Sequence, residues 1–138
     1  MWLSILMIIL APQQVAGWEL FATVDFEIRY IEELGYDVEY PLFDQEIRRK
    51  DGNEIEISGH YLPLDYGKDK IILSKLPFAS CFFCGGGVGQ ETIAEIHFAS
   101  EPRRFIPDEI LTIKGRLKLN ENDYDHMVFI IEEAELIE

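Results

Sequence analysis

The chain has 138 residues, enough for one hydrophobic core and too few for two comfortable domains. Apolar residues make up 48% of it and aromatic residues 12%, a composition that excludes a disordered chain. The formal net charge is −14, so the chain would repel phosphate, and a nucleic-acid partner is excluded.

Residues 1–17 have the pattern of a secretory signal peptide. The apolar run over residues 2–11 has the length of a signal-peptide core and is too short to span a bilayer. Small residues before Trp18 offer a cleavage position, although no basic residue precedes the run. A buried N-terminal helix or strand is the alternative. Cleavage would place a mature chain without a transmembrane span in the periplasm or outside the cell, where disulfides persist.

Residues 18–50 are predicted to form a short N-terminal α/β extension. Two loosely alternating stretches, residues 18–21 and 26–31, come before a turn at Gly35. A short helix is predicted over residues 41–50, because a proline opens this stretch and a basic triplet closes it.

From residue 51 onward the pattern is that of β-strands. Glycines lie inside two of the predicted strands, at Gly59 and Gly115, where they allow a bulge or a sharp bend of the sheet. Five strands predict a mainly β fold, a five-stranded OB-like Greek-key barrel over residues 51–138. A β-sandwich is the alternative, but it usually needs about seven strands. The predicted strands cover residues 54–62, 70–76, 91–98, 109–119 and 126–137.

The only two cysteines, Cys81 and Cys84, lie two residues apart and open onto three glycines. This spacing is typical of a disulfide, a redox pair or half of a metal site. A redox role usually needs a helix N-terminus that activates the thiol, and here a glycine run follows instead. A disulfide that closes so short a loop would stabilise the fold only modestly. The structural and the metal-binding interpretations both stay open.

A metal site at this loop needs ligands beyond two thiolates. Glu91 and His97 lie on the next predicted strand, where the two-residue period places them on one face with Glu95. His60, from the first strand of the barrel, is an alternative to the more distant His97. Two thiolates with such a ligand suit zinc or copper(I). The predicted metal ligands are Cys81, Cys84, Glu91 and His97.

No catalytic motif accompanies these residues. The sequence has no Gly-x-Ser-x-Gly elbow and no Walker-type phosphate loop, and no two carboxylates pair as acid and base. The glycine run after Cys84 lacks the lysine and the helix that bind an anion. The sequence therefore predicts a protein that is not an enzyme.

Several segments of the chain carry a family resemblance: residues 51–52, 57–65, 72–81, 89–91 and 113–117. Through them, roughly residues 41–138 resemble a secreted bacterial family of unknown function with an OB-like domain, often encoded beside ABC-type transport systems. At the loop that family has one cysteine, a histidine and a proline run, where this chain has Cys84 and three glycines. The resemblance implies an exported accessory protein concerned with metals or transport. Its implied partner is a membrane transport complex or another protein.

The function predicted from these features is that of an exported, non-enzymatic binding or accessory module whose site is the cysteine loop. One alternative is a structural protein-interaction domain with a disulfide-stiffened loop, which would contact its partner through the barrel face or an exposed edge strand. The other alternative is a thiol redox protein. The three possibilities differ in what the two cysteines do.

Overall fold

The computed structural model describes residues 17–64, 67–81 and 88–137. The predicted signal segment up to residue 16, Cys84 and the three glycines after it lie outside the described residues. No helix in the described ranges is long and apolar enough to cross a membrane. The elements are α1 (Gly17–Phe21), β1 (Asp25–Ile31), β2 (Tyr36–Leu42), α2 (Gln45–Arg48), β3 (Glu54–Leu62), β4 (Lys70–Ser74), β5 (Ile93–Phe98), β6 (Ile110–Leu119) and β7 (Phe129–Ile137).

Strands β3 to β7 close into a five-stranded barrel in the order β3-β4-β5-β7-β6. The β5–β7 pair is parallel, and the other pairs are antiparallel. This mainly β arrangement is that of a small OB-like barrel, which confirms the predicted fold class. The predicted first strand has the bounds of β3, and the predicted fourth strand is one residue longer than β6.

Helix α1 packs its aromatic side chains into the core of the barrel. Phe21 stacks on Phe129 of β7 with ring centroids 4.0 Å apart, and neither ring is exposed. The indole nitrogen of Trp18 donates a hydrogen bond of 2.7 Å to the carbonyl of Ser58 in β3. Burying a large apolar side chain stabilises a fold by about 1.5–3 kcal/mol. The two aromatic side chains of α1 therefore make this helix an integral part of the barrel.

The two strand glycines have different roles. At Gly115 the β6–β7 register shifts, and a side chain there would lie 2.6 Å from Ile131 Cγ2. At Gly59 the predicted bulge is wrong, because β3 and β6 pair in register through this residue. A Cβ at Gly59 would instead lie 2.6 Å from the carbonyl oxygen of Ser74 and 2.9 Å from the Trp18 ring. Gly59 thus allows β4 and α1 to approach β3.

The N-terminal extension is an α/β unit, as predicted, but its elements differ from the prediction. Residues 18–21 belong to a helix, and β1 and β2 form an antiparallel hairpin. Pro41 lies in β2 rather than in a helix, in a two-stranded sheet that tolerates a residue without an N–H. Helix α2 begins only after Asp44, whose carboxylate accepts a hydrogen bond of 3.0 Å from the backbone N–H of Ile47.

Candidate metal centre

Strand β5 is covered on both faces, and a carboxylate lies on its outer face. Alternate residues from Ala94 to Phe98 belong to the barrel core, as the two-residue period of a strand requires. Glu95 lies between them in sequence and therefore on the opposite face, where it is wholly buried. Its neighbours across the ladders are Ile72 of β4 and Ile130 of β7. The carboxylate therefore has an apolar setting, in which a charge needs partners.

Two imidazoles contact the same oxygen of this carboxylate. Glu95 Oε2 lies 2.8 Å from His97 Nε2 and 2.9 Å from His126 Nδ1. His97 follows Glu95 by two residues, so β5 places both on its outer face. The two rings are 5.8 Å apart, and their side chains are 24% and 33% exposed. The site therefore has a buried acid at its base and two histidines that solvent reaches.

The connection between β6 and β7 holds His126 in place. The side-chain amide of Asn120 donates hydrogen bonds of 2.7 Å to the carbonyl of Asp123 and 3.0 Å to that of Met127. The backbone N–H of His126 donates to the Asp123 carbonyl at 3.2 Å. Because these bonds close the loop on itself, His126 is positioned before any ligand binds.

The second oxygen of the carboxylate has no partner. Among the described residues, Glu95 Oε1 is the one buried side-chain nitrogen or oxygen without a hydrogen bond. Nor does any lysine or arginine in the described ranges form an ion pair with Glu95. A buried polar atom without a partner is unfavourable by about 1–3 kcal/mol, and by more when it is charged. Such an atom in a folded protein points to a bound water or ion, or to a functional role.

The three side chains form a donor set suited to a metal ion. One ligand atom from each of Glu95, His97 and His126 lies within 4.8 Å of the other two. Two imidazole nitrogens and one carboxylate oxygen bind zinc, and the same combination binds iron(II). Three protein ligands also leave a coordination position for water or another ligand.

Of the four predicted ligands, only His97 belongs to this group. Cys81 is fully buried, disulfide-bonded, and packed with Ile72 and Ile93 on the outer face beside Glu95. A disulfide sulfur is not the thiolate that a metal requires. Cys84 lies outside the described residues. A predicted strand position for Glu91 is wrong, because this residue lies in a 3₁₀ turn that ends before β5 begins.

The sequence contained a signal for part of this group. Glu95 and His97 are two residues apart in an alternating stretch, which places them together on one face of a strand. His126 lies 29 positions after His97 in a polar connection, and no sequence period links the two. Only the parallel pairing of β5 with β7 brings that connection over Glu95.

Comparisons with known proteins identify no relative. The chain matches no protein-family model, and searches of curated proteins and of solved structures give no match. The resemblance to a secreted bacterial family therefore stays a prediction. The function is therefore inferred from the geometry of the site.

Proposed function

We propose that this protein is an exported, non-enzymatic metal-binding module that holds one zinc-like divalent ion between Glu95, His97 and His126. The unpartnered oxygen of Glu95 is the observation that carries the proposal. A divalent cation at this position would neutralise the buried carboxylate and replace its missing partner. The site differs from the predicted cysteine loop but retains His97.

A purely structural role explains the arrangement of this site less well than metal binding does. Replacing a buried charged group by a well-packed apolar residue is often neutral or stabilising, so a buried carboxylate is a weak device for stability. Here the carboxylate has two imidazole contacts on one oxygen and none on the other. A ligand that binds both oxygens or displaces the imidazole contacts accounts for this asymmetry.

The solvent access to the Glu95 site and the net negative charge of the chain also favour binding of a cation there. The two histidine side chains are partly exposed, so an ion can reach the carboxylate through them. The formal net charge of −14 raises the local concentration of cations around the protein. Both features favour the capture of a free metal ion.

The proposal of export and of a role in metal handling or transport depends on the sequence. One structural feature, the disulfide bond of Cys81, supports it. The signal-like segment and the family resemblance favour an exported accessory protein. Cys81 is disulfide-bonded, and such bonds persist in oxidising compartments. The disulfide next to the site therefore agrees with binding of metal outside the cytoplasm.

Isothermal titration calorimetry with zinc tests the proposal. We expect wild-type protein to bind one zinc ion per chain. His97→Ala and His126→Ala should each weaken binding by at least about 100-fold, because each removes a direct ligand. Circular dichroism would check that both variants remain folded, as we expect because both imidazoles are partly exposed.

Two further variants serve as controls. His60→Ala removes the third histidine, whose imidazole makes its polar contacts with Asp108 rather than with Glu95, and should leave zinc binding unchanged. Cys81→Ser/Cys84→Ser should also keep the site, since neither sulfur is a proposed ligand. No zinc binding by wild type, or loss of binding in the double serine variant alone, would overturn the proposal.

A further inference from the structure

A second candidate site lies between the β1–β2 hairpin and the connection from β6 to β7. A cavity of about 160 Å³ separates strand β2 from residues 120–126. It is far smaller than the roughly 300–1,000 Å³ of a pocket for a drug-sized ligand. Its volume is close to that of the roughly 150 Å³ engineered cavity that holds a benzene molecule. The cavity can therefore hold only a small ligand or a single side chain.

The charged side chains that line this cavity are carboxylates. Glu39 comes from the hairpin, and Glu121 and Asp123 come from the opposite connection. Arg48 forms an ion pair with Glu121, whereas no lysine or arginine in the described ranges pairs with Glu39 or Asp123. Asp123 Oδ2 also lies 3.9 Å from Nε2 of His126, a ligand of the proposed metal centre that lines the same cavity. Two carboxylates without a permanently charged partner favour a cation at this cavity.

Aromatic rings supply the rest of the recognition surface. The lining includes Tyr36, Tyr40 and Tyr124. The Tyr40 ring is held by the guanidinium of Arg29, which lies 3.7 Å from its centroid. Tyr36 and Tyr124 are 58% and 40% exposed and keep ring surface free for a ligand. Ring faces attract cations that have lost their water, above all alkylated ammonium groups.

From this combination we propose that the cavity binds an alkylammonium group. The ring surfaces of Tyr36 and Tyr124 contact its alkyl carbons, and Glu39 and Asp123 balance its charge. The group can belong to a free quaternary ammonium compound or to a lysine side chain of another protein. The cavity and the metal centre share His126, so binding of the alkylammonium group is tested on metal-free protein.

NMR titration of metal-free protein in the presence of a chelator tests this site with three probes. Choline represents the free quaternary ammonium, and N-acetyl-lysine amide represents a protein side chain. A neutral analogue of choline, 3,3-dimethyl-1-butanol, has the same shape without the charge. We expect at least one of the two cations to shift the resonances of Tyr36 and Tyr124, and the tighter of them identifies the source. The neutral analogue should bind at least about fivefold more weakly.

Variants distinguish the cavity from general attraction to an acidic protein. Tyr124→Leu and Asp123→Asn should each weaken binding about fivefold or more, because they remove a ring and a charge. Tyr30→Leu, on the same hairpin but outside the cavity lining, should leave affinity unchanged. The site is ruled out if neither cation binds, if the neutral analogue binds equally well, or if Tyr30→Leu has the same effect as Tyr124→Leu.

Discussion

The two faces of β5 are both buried, yet they differ in chemistry. The inner face presents Ala94, Ile96 and Phe98 to the apolar core of the barrel. The outer face carries Glu95, which is wholly buried and has one oxygen without a hydrogen-bond partner. Burial alone therefore does not separate structural residues from functional ones in this barrel. An unsatisfied polar atom does, because a fold has no energetic reason to retain it.

Residues outside the strands pack against the outer face of β5. Cys81 packs against the outer side of β4 and β5, and Met127 packs against the same apolar cluster. Glu95 is wholly buried next to this cluster, and its second oxygen has no hydrogen-bond donor. Desolvation strengthens the attraction of the carboxylate for a metal ion and weakens the metal-free fold. The inner face should thus contribute stability, and the outer face should contribute binding.

Truncating the inner face should give the largest change in stability. Ile96 is wholly buried, and we expect Ile96→Ala to lower the free energy of unfolding by about 2–5 kcal/mol. The cavity left behind lies on the opposite side of the strand from the metal ligands, so zinc affinity should change little. Urea denaturation and zinc titration would measure the two effects. A stability loss below about 1 kcal/mol would contradict the assignment of this face to the core.

Replacing the outer-face carboxylate should show the opposite behaviour. Glu95→Leu removes a buried charge and fills its space with apolar atoms, so metal-free stability should stay within about 1 kcal/mol of wild type or rise. Zinc binding should be lost. The comparison needs urea denaturation in a chelator and calorimetry with zinc. A metal-free variant that is destabilised by more than about 2 kcal/mol would mean that the carboxylate and imidazoles form a structural network instead.

Glu132 of β7 differs from Glu95, because it is partly exposed and pairs with Arg116 and Lys118. Desolvation raises the pKa of Glu132 in β7, but hydrogen bonds from Arg116 and Lys118 lower it by more. The pKa of this carboxyl is therefore below its usual value. Its ionised form therefore stabilises the fold above the unfolded-state pKa of about 4.3, and this contribution is lost as pH falls through the lower folded-state pKa.

Arg116→Gln should remove part of that contribution. Because the ion pair is partly exposed, the destabilisation at pH 7 should be below about 1 kcal/mol, and the difference from wild type should vanish in acid. Urea denaturation from pH 7 down to pH 3 would follow it. In a Glu132→Gln/Glu133→Gln background, which removes both carboxylates that pair with Arg116, the same arginine replacement should show no such pH dependence. A difference from wild type that persists unchanged at pH 3 would refute the ion-pair explanation.

The barrel was predictable from the sequence because its strands alternate strongly and two of them contain glycines at close contacts. Strand β3 has the predicted bounds. The extension is less predictable, since the sequence pattern indicates a helix start at Pro41, whereas this residue lies in β2. Local patterns did not reveal that the aromatic residues of α1 fill the barrel core rather than forming a strand.

The site was predictable only where it depends on local spacing. The pair Glu95 and His97 follows from strand alternation, and His97 was selected for that reason. His126 was missed because its position depends on barrel closure and on the loop bonds made by Asn120. The cysteine spacing drew the prediction toward Cys81, whose buried disulfide packs beside the site.

Zinc K-edge X-ray absorption on zinc-loaded wild-type protein would identify the atoms that bind the metal. Nitrogen and oxygen ligands scatter at about 2.0–2.2 Å, whereas thiolate sulfur scatters at about 2.3 Å. We expect one zinc ion per chain with two imidazole ligands and light-atom distances only, and we expect His97→Ala/His126→Ala to lose the imidazole signal. A sulfur shell at about 2.3 Å, or a spectrum unchanged in that double variant, would contradict the assignment of the metal to Glu95, His97 and His126.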